Sequence, residues 1–311
     1  MLRVDTKVSE VGLGTAQIGS RIWSWGRGYN KKTILAAYEK AFELGLNFID
    51  TAESYANGVS EEIVSEIMRG RRDDVFLATK VSPGHLHYDD LLRACEGSLR
   101  RLRTDVIDLY QIHAPSSFVP LKESMRAMNH LLSEGKIRYA GVSNFLVPYV
   151  REARSLLARG ELVSNQVKYN LLQREVEEEL IPYCRREGLT VIAYSPHAQG
   201  LLTGKYDAEH RPTDEIRSTM MSYFTEENMK RVQPVIRKLE EVARKRRKTP
   251  GQVALNWTLR DETVYPIVGV KRASQVVQCH GAMGWRLTDE EWKGLARTAE
   301  GVKIEYLPSD S

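Results

Sequence analysis

Short apolar runs alternate along this chain with segments whose apolar positions recur at the helical period. The apolar runs predict eight strands, at residues 10–15, 47–50, 75–80, 106–113, 137–142, 163–167, 190–194 and 264–267. Helical patterns fill the intervals, at residues 32–44, 60–69, 88–102, 121–133, 147–157, 175–186, 226–246 and 274–282. Such alternation is typical of βα units with a parallel sheet, and eight strands close a barrel. The sequence therefore predicts an α/β fold, a (β/α)8 TIM barrel, as one domain over residues 1–311.

Two segments depart from the regular alternation. Residues 195–225 separate the seventh strand from its helix, and a connection of that length inside a compact domain is usually functional. A ninth helix, at residues 288–299, follows the capping-box pattern Thr288-Asp-Glu-Glu291. We therefore expect an extended loop after strand 7 and an extra C-terminal helix.

Composition narrows the classes of function. The chain has 45 Lys and Arg against 41 Asp and Glu, a formal charge of +4, which is too mild a basicity to indicate a nucleic-acid partner. No run of 18 or more apolar residues is present and the N-terminus lacks the apolar core of a signal peptide, so we expect no membrane partner and a cytoplasmic location. Three widely spaced cysteines fit a reducing compartment. The oligomeric state is left open between a monomer and a homo-oligomer.

Four chemically useful side chains lie at the ends of three consecutive predicted strands. Asp50, Lys80 and His113 end the second, third and fourth strands, and Tyr55 follows in the loop after Asp50. Because the carboxyl ends of barrel strands carry the active site, we expect these four catalytic candidates to meet. Lys80, held by Asp50, would lower the pKa of Tyr55 and make it a proton donor, while a neutral His113 would donate a hydrogen bond to the same carbonyl oxygen. Each residue alone also fits an ordinary structural role as a cap, rim, surface or core residue.

Seven motifs together resemble those of the aldo-keto reductase superfamily over essentially the whole chain. They are Gly12-Leu-Gly-Thr15, Asp50-Thr-Ala-Glu-Ser-Tyr55, Thr79-Lys80, Asp108-Leu-Tyr-Gln-Ile-His113, Gly141-Val-Ser-Asn-Phe145, Asn165-Gln166 and Ala193-Tyr-Ser-Pro196. The resemblance implies a barrel that binds NADP(H) and passes hydride from the nicotinamide to an aldehyde or ketone. Tyr55 would protonate the resulting alkoxide. The implied partner is a small-molecule aldehyde, ketone or alcohol.

The resemblance also implies the residues that bind the cofactor. Ser143, Asn144 and Gln166 match the groups that hold the nicotinamide carboxamide, and Tyr194 matches the aromatic residue that stacks on the nicotinamide ring. The loop from Ser195 resembles the pyrophosphate site. The cofactor candidates implied in this way are Thr15, Asp50, Ser143, Asn144, Gln166, Tyr194, Ser195, Gly200, Leu201, Lys205, Arg217, Gly269, Lys271, Arg272, Gln275 and Gln278.

Lys271 and Arg272 follow the eighth strand in a segment that resembles the adenosine-phosphate site. Two cations there favour the 2′-phosphate of NADP, with NAD(H) as a weaker alternative. Where the family often has Glu-Asn against adenine, this chain has Gln278-Cys279.

The two ends of the first predicted strand carry further expectations. Only seven residues precede Val8, so the N-terminal hairpin that closes the barrel bottom in relatives should be a short plug. Trp23 and Trp25 stand in the loop after the first strand, where the family places substrate-pocket aromatics. The predicted substrate pocket is thus formed by Trp23, Trp25, Tyr55 and His113, and packing against the barrel rim is an equally good reading of either tryptophan.

Two other functions compete with carbonyl reduction. His85 and His87 have a metal-ligand spacing found in hydrolytic barrels, but later strand ends supply no further ligands, so we expect no metal site. Barrels of this family also serve as channel accessory subunits with little turnover, and the sequence distinguishes that role poorly from the plain enzyme.

Overall fold

The computed structural model describes residues 8–207 and 209–305. Within them, eight parallel strands form a closed barrel in sequential order, with β1 paired to both β2 and β8. The strands are β1 (Gly12–Gly14), β2 (Phe48–Asp50), β3 (Phe76–Val81), β4 (Ile107–Ile112), β5 (Ile137–Ser143), β6 (Leu162–Lys168), β7 (Thr190–Tyr194) and β8 (Val264–Gly269). The predicted (β/α)8 barrel is confirmed, and the predicted first strand was too long at both ends.

Helices surround the barrel between and after the strands. They are α1 (Lys31–Glu43), α2 (Val59–Ile67), α3 (Tyr88–Leu102), α4 (Leu121–Ser133), α5 (Val147–Leu156), α6 (Leu180–Glu187), α7 (Glu226–Arg246), α8 (Pro250–Thr258), α9 (Ala273–His280) and α10 (Asp289–Glu300). The extra C-terminal helix is therefore present as α10, and its capping box at Thr288 forms as predicted.

Helix α8 is absent from the sequence-based assignment, which placed one helix between strands 7 and 8. It begins after Thr249, whose side chain accepts from the backbone of Gln252 while Gln252 reaches back, a capping box with Pro250 at the first helical position. Both the capping box and the proline at the first helical position can be recognised in the sequence. The helix was missed because it follows α7 after only a few residues.

The barrel interior is filled by its own apolar cluster, separate from the larger core between strands and helices. Phe48 and Phe76 meet edge to face there, with ring centroids 5.6 Å apart. Gly12 leaves the space for this contact, because a Cβ at that position would lie 2.5 Å from the Phe48 ring. Val8 packs at the same cluster, but the predicted plug falls mainly on residues 1–7, outside the described residues.

In the part of the long connection after β7 that the structure describes, three short helical turns precede α7. These are Ala198–Thr203, Ile216–Met220 and Ser222–Phe224. The extended loop predicted after strand 7 is therefore present. None of the helices among the described residues is both long and apolar enough to cross a membrane.

Candidate active site

The four predicted catalytic residues come together at the carboxyl ends of their strands. Asp50 is the last residue of β2, Lys80 is the next-to-last residue of β3, and His113 directly follows β4. Tyr55 begins a short turn after β2. Its backbone continues through two residues with positive φ, Ala56 at 50° and Asn57 at 53°, before Gly58, the N-cap residue of α2.

Lys80 is fully buried and makes three contacts through its ammonium group. Its Nζ donates to Asp50 Oδ1 at 2.5 Å and to the Thr51 carbonyl at 2.8 Å, and lies 3.4 Å from the Tyr55 hydroxyl. Burial lowers the pKa of Lys80, but the charge of Asp50 and the contact with Tyr55 outweigh it, so the pKa lies above its ordinary value. The ammonium therefore keeps its charge beside the phenol.

The sequence predicts that Lys80 lowers the pKa of Tyr55, and the structure corrects this. Burial raises the pKa of Tyr55 above its ordinary value, and Lys80 offsets only part of that rise. The sequence shows which charge is adjacent but not how deeply the phenol is buried. As a result Tyr55 is a neutral phenol at neutral pH, with an O–H available to donate.

His113 faces the same phenol. Its ring lies edge to face with the Tyr55 ring, with centroids 5.8 Å apart. Burial and the charge of Lys80 lower the pKa of His113 to about 4. The imidazole is therefore neutral at neutral pH, as the sequence analysis expects, and can donate a hydrogen bond toward a group between itself and Tyr55.

Asp50, Tyr55 and His113 line a cleft at the carboxyl end of the barrel, with a volume of about 830 Å³. Most of the predicted site residues line it. They are Thr15, Trp23, Asp50, Tyr55, His113, Ser143, Asn144, Gln166, Tyr194, Ser195, Gly200, Lys205, Arg217, Gly269, Lys271, Gln275 and Gln278.

Hydroxyl and amide groups gather at the end of the cleft near Tyr55. Ser143 Oγ donates to the Gln166 carbonyl at 2.9 Å, and Asn144 Nδ2 donates to the His113 carbonyl and to Ser143 Oγ, both at 3.1 Å. Tyr194 donates its hydroxyl to Asn144 Oδ1 at 3.1 Å. Asn144 has a positive φ of 60°, a conformation that Asn tolerates better than most residues. This set offers both donors and acceptors to a carboxamide.

Cationic groups gather along the rest of the cleft. Arg217 and Lys271 both lie over the Trp23 ring, at 5.1 Å and 5.5 Å from its centroid, and Lys271 Nζ donates to the Trp23 carbonyl at 2.8 Å. Lys205 lines the same region. Burial and the charge of Arg217 lower the pKa of Lys271 to about 8. Several positive charges held close together suit a ligand that carries phosphates.

Four predicted site residues do not line the cleft: the fully buried Lys80, and Leu201, Arg272 and Trp25. Leu201 is a buried core residue, and Arg272 Nη2 donates to the Gly28 carbonyl at 2.8 Å. Trp25 instead packs edge to face on Tyr29, at 5.4 Å between ring centroids, as a rim residue. These contacts of Leu201, Arg272 and Trp25 lie outside the cleft lining, and the spacing of residues along the chain does not predict them.

Sequence reasoning missed other residues that face the cleft. Gln17 lines it and donates to the Val270 carbonyl at 2.9 Å. His197 also lines the cleft, where desolvation lowers its pKa, and its Nε2 lies 2.9 Å from the Gly251 carbonyl. Among the described residues, the buried Oε1 of Gln199 has no hydrogen-bond partner. An unpartnered acceptor in the wall fits a cleft built for a polar ligand.

The two histidines of the rival metal site have separate partners. His85 Nδ1 lies 2.9 Å from Glu53 Oε1, and His87 Nδ1 lies 3.0 Å from Glu123 Oε2. In residues 8–207 and 209–305, no group of three or more His, Cys, Asp or Glu side chains is placed to hold a metal ion. Their spacing in sequence does not bring the two imidazoles to a common ligand position.

Comparisons with known proteins agree with this geometry. The model of the Aldo/keto reductase family matches residues 10–300. An uncharacterized oxidoreductase of Mycobacterium tuberculosis, Rv2298, is 39% identical over 270 residues, which cover 87% of this chain and 83% of that protein.

Solved structures extend the likeness to the whole barrel. The glycerol dehydrogenase AKR11B4 from Gluconobacter oxydans superposes with a TM-score of 0.86 at 32% identity, covering 98% of this chain and 96% of that one. An aldo/keto reductase from Klebsiella pneumoniae in complex with NADP and acetate gives a TM-score of 0.73 at 32% identity, covering 96% of each chain. The chain belongs to the aldo/keto reductase family.

Proposed function

We propose that this oxidoreductase uses NADP(H) to reduce aldehydes or ketones to alcohols, with Tyr55 as the general acid. The observation that carries the proposal is the contact of the Tyr55 hydroxyl with the buried ammonium of Lys80, opposite a neutral His113 and inside the cleft. This arrangement can donate a proton and a hydrogen bond to one oxygen atom. Alcohol oxidation is the same reaction in reverse.

Four side chains would have separate roles in the protonation of the carbonyl oxygen. Tyr55 Oη donates its proton to the carbonyl oxygen as negative charge develops there. Lys80 stabilises the phenolate that remains, because an ammonium 3.4 Å from the oxygen favours the charged form. His113 orients the same oxygen with a hydrogen bond. Asp50 holds Lys80 in place through its Oδ1. When bound, NADPH supplies the hydride.

The cleft contains suitable groups for that cofactor along its length. Ser143, Asn144 and Gln166 would hold the nicotinamide carboxamide, and Tyr194 would stack on the ring. Lys205, Arg217 and Lys271, which also line the cleft, would bind the phosphates, whose negative charge these cations complement. The complex of the Klebsiella pneumoniae relative with NADP supports this choice. NAD(H) would bind more weakly, since it lacks the 2′-phosphate.

The decisive experiment follows the absorbance of NADPH with a simple aldehyde such as a nitrobenzaldehyde. Wild-type protein should oxidise NADPH, and Tyr55→Phe should lose at least about a thousandfold in kcat, the scale set by general-acid catalysis plus oxyanion stabilisation. Its dissociation constant for NADPH should stay near the wild-type value.

A matched control is Tyr38→Phe, which removes a buried hydroxyl that has no hydrogen-bond partner among the described residues. It should keep full activity. Turnover retained in Tyr55→Phe would refute the mechanism. Tight NADPH binding by the wild type with no turnover of any carbonyl or alcohol would instead favour the cofactor-binding accessory subunit.

A further inference from the structure

Gln111 is a buried amide on β4 that touches two residues of the site without lining the cleft. It precedes His113 by two positions, so its side chain points to the same, inner side of the strand. Its Nε2 donates to Asp50 Oδ2 at 3.2 Å, and its Oε1 accepts from Gln166 Nε2 at 3.3 Å. Gln111 therefore connects the Asp50 carboxylate to the amide of Gln166.

Asp50 is fully partnered through this contact. Its Oδ1 pairs with Lys80, and its Oδ2 accepts from both Gln111 and Gln166, the latter at 2.9 Å. The barrel makes space for the arrangement at Gly141 on β5, where a Cβ would lie 2.9 Å from Gln111 Cγ. The network thus joins side chains from β2, β3, β4 and β6, and Gly141 on β5 leaves the space beside Gln111.

The contact also decides which atom Gln166 presents to the cleft. The amide nitrogen of Gln166 is used inward, by Asp50 Oδ2 and by Gln111 Oε1. Turning the Gln166 amide over would place its oxygen against an acceptor on Gln111 and against a carboxylate, which is unfavourable. The Oε1 of Gln166 is therefore the atom left for a ligand in the cleft, and it is an acceptor.

We propose that Gln111 is a positioning residue that fixes Gln166 as a hydrogen-bond acceptor for the amino group of the nicotinamide carboxamide and holds Asp50 in register with Lys80. This inference rests on the proposed function for the identity of the cofactor. It assigns to one buried amide the link between the acid–base residues and the cofactor site.

The first test compares two oxidised cofactors that differ only in the group Gln166 would bind. NADP⁺ carries a carboxamide, and its 3-acetylpyridine analogue carries a methyl ketone without the amino group. Gln111→Leu should weaken NADP⁺ binding about threefold to tenfold, the effect of one misplaced hydrogen bond, and should leave the analogue nearly unchanged. Protein fluorescence titration gives both dissociation constants.

The second test uses Gln111→Glu, which keeps the size of the side chain. The new carboxyl faces Asp50, with Lys80, Tyr55 and His113 as the other titratable groups around the network, so like charge should raise its pKa. Protonated, it can donate to Asp50 as the amide does; ionised, it cannot. At about pH 5.5 the variant should bind NADP⁺ as tightly as the wild type. At about pH 8.5 it should bind NADP⁺ about fivefold or more weakly than the wild type does at the same pH.

Tyr110→Phe is the matched control on the same strand. The Tyr110 hydroxyl is buried on the outer side of β4 and has no partner among the described residues, so its loss should change neither dissociation constant. A purely structural role for Gln111 would weaken both cofactors equally at both pH values, and that result would overturn the proposal. If the leucine variant fails to fold, the pH comparison with Gln111→Glu decides alone.

These binding measurements also separate the two proposals. Wild-type protein that binds NADP⁺ with the predicted effects at Gln111, yet reduces no carbonyl, would refute the proposed function and leave the role of Gln111 standing. Active wild-type protein with equal losses for both cofactors in Gln111→Leu would refute only the role of Gln111.

Discussion

Removing the ammonium of Lys80 tests how much the buried charge pair contributes to folding. Lys80→Met keeps a long unbranched side chain but leaves Asp50 as a buried carboxylate without its counter-ion. The pair is buried on both sides, with side-chain exposures of 0% for Lys80 and 1% for Asp50. The variant therefore leaves a buried charge that has lost its counter-ion and keeps only its hydrogen bonds.

Breaking a buried ion pair from one side typically destabilises a protein by ~3–5 kcal/mol. The amides of Gln111 and Gln166 still donate to Asp50 Oδ2 after the substitution, so the loss should fall at the lower end, about 3 kcal/mol. In the double variant Lys80→Met with Asp50→Asn the lone charge is gone. We expect it to recover about 2 kcal/mol relative to the single variant.

Urea unfolding followed by tryptophan fluorescence gives the free energy of unfolding for the wild type, both single variants and the double variant. The double variant should lie above Lys80→Met in stability although it carries one more substitution. Equal stability of Lys80→Met and wild type, or a double variant less stable than Lys80→Met, would refute the assignment of a charged, paired Lys80.

Three other perturbations follow from the same structure. Burial and Lys80 hold the pKa of folded His113 near 4, so between pH 6.5 and 4 the unfolded chain binds a proton at His113 that the folded chain does not. The stability of the wild type should therefore decrease as the pH is lowered from 6.5 to 4. His113→Asn should make this decrease smaller, as measured by urea unfolding at several pH values. NADPH binding should weaken as pH rises through about 8, where Lys271 loses its proton, and Lys271→Met should bind weakly with no such step, as measured by titration calorimetry. Gly58→Ala should lower the free energy of unfolding by about 2 kcal/mol, because Gly58 has a φ of 89° and a Cβ there would lie 2.6 Å from Arg101 Cδ; unchanged stability would contradict both arguments.

The strands and the four central side chains could be predicted because the position of a residue along a barrel strand determines which end of the barrel its side chain reaches. A residue at the carboxyl end of a parallel strand reaches the same edge as its neighbours, so Asp50, Lys80 and His113 had to meet once the strands were assigned. Strand position alone could not place Tyr55 in the site, because it lies beyond the end of β2. Its inclusion depended on the chemistry of the set, in which a phenol stands beside an ammonium, a carboxylate and an imidazole.

Loop residues were harder to place because backbone turns decide where their side chains point. Trp23 and Trp25 are two positions apart, yet one lines the cleft beneath two cations and the other packs on Tyr29. Ser24, between them, has a positive φ of 67°. A conformation of that kind is not encoded by apolar periodicity, so both assignments remained open in the sequence.

The burial of each side chain was the other quantity that could not be predicted from the sequence, and it reverses the expected shift in the pKa of Tyr55. A phenol with a lowered pKa would be partly ionised before substrate arrives, whereas Tyr55, whose pKa is raised by desolvation, retains its proton. Under the proposed mechanism, Lys80 would then act on the product of proton transfer, the phenolate, more than on the resting acid. Catalysis of this kind needs the ammonium to stay charged without solvent, and Asp50 provides for that. Gln111 and Gln166 both donate to the second oxygen of Asp50, so the proposed acid and the proposed cofactor site share one carboxylate. We therefore expect that a change at one of the two sites has a measurable effect on the other.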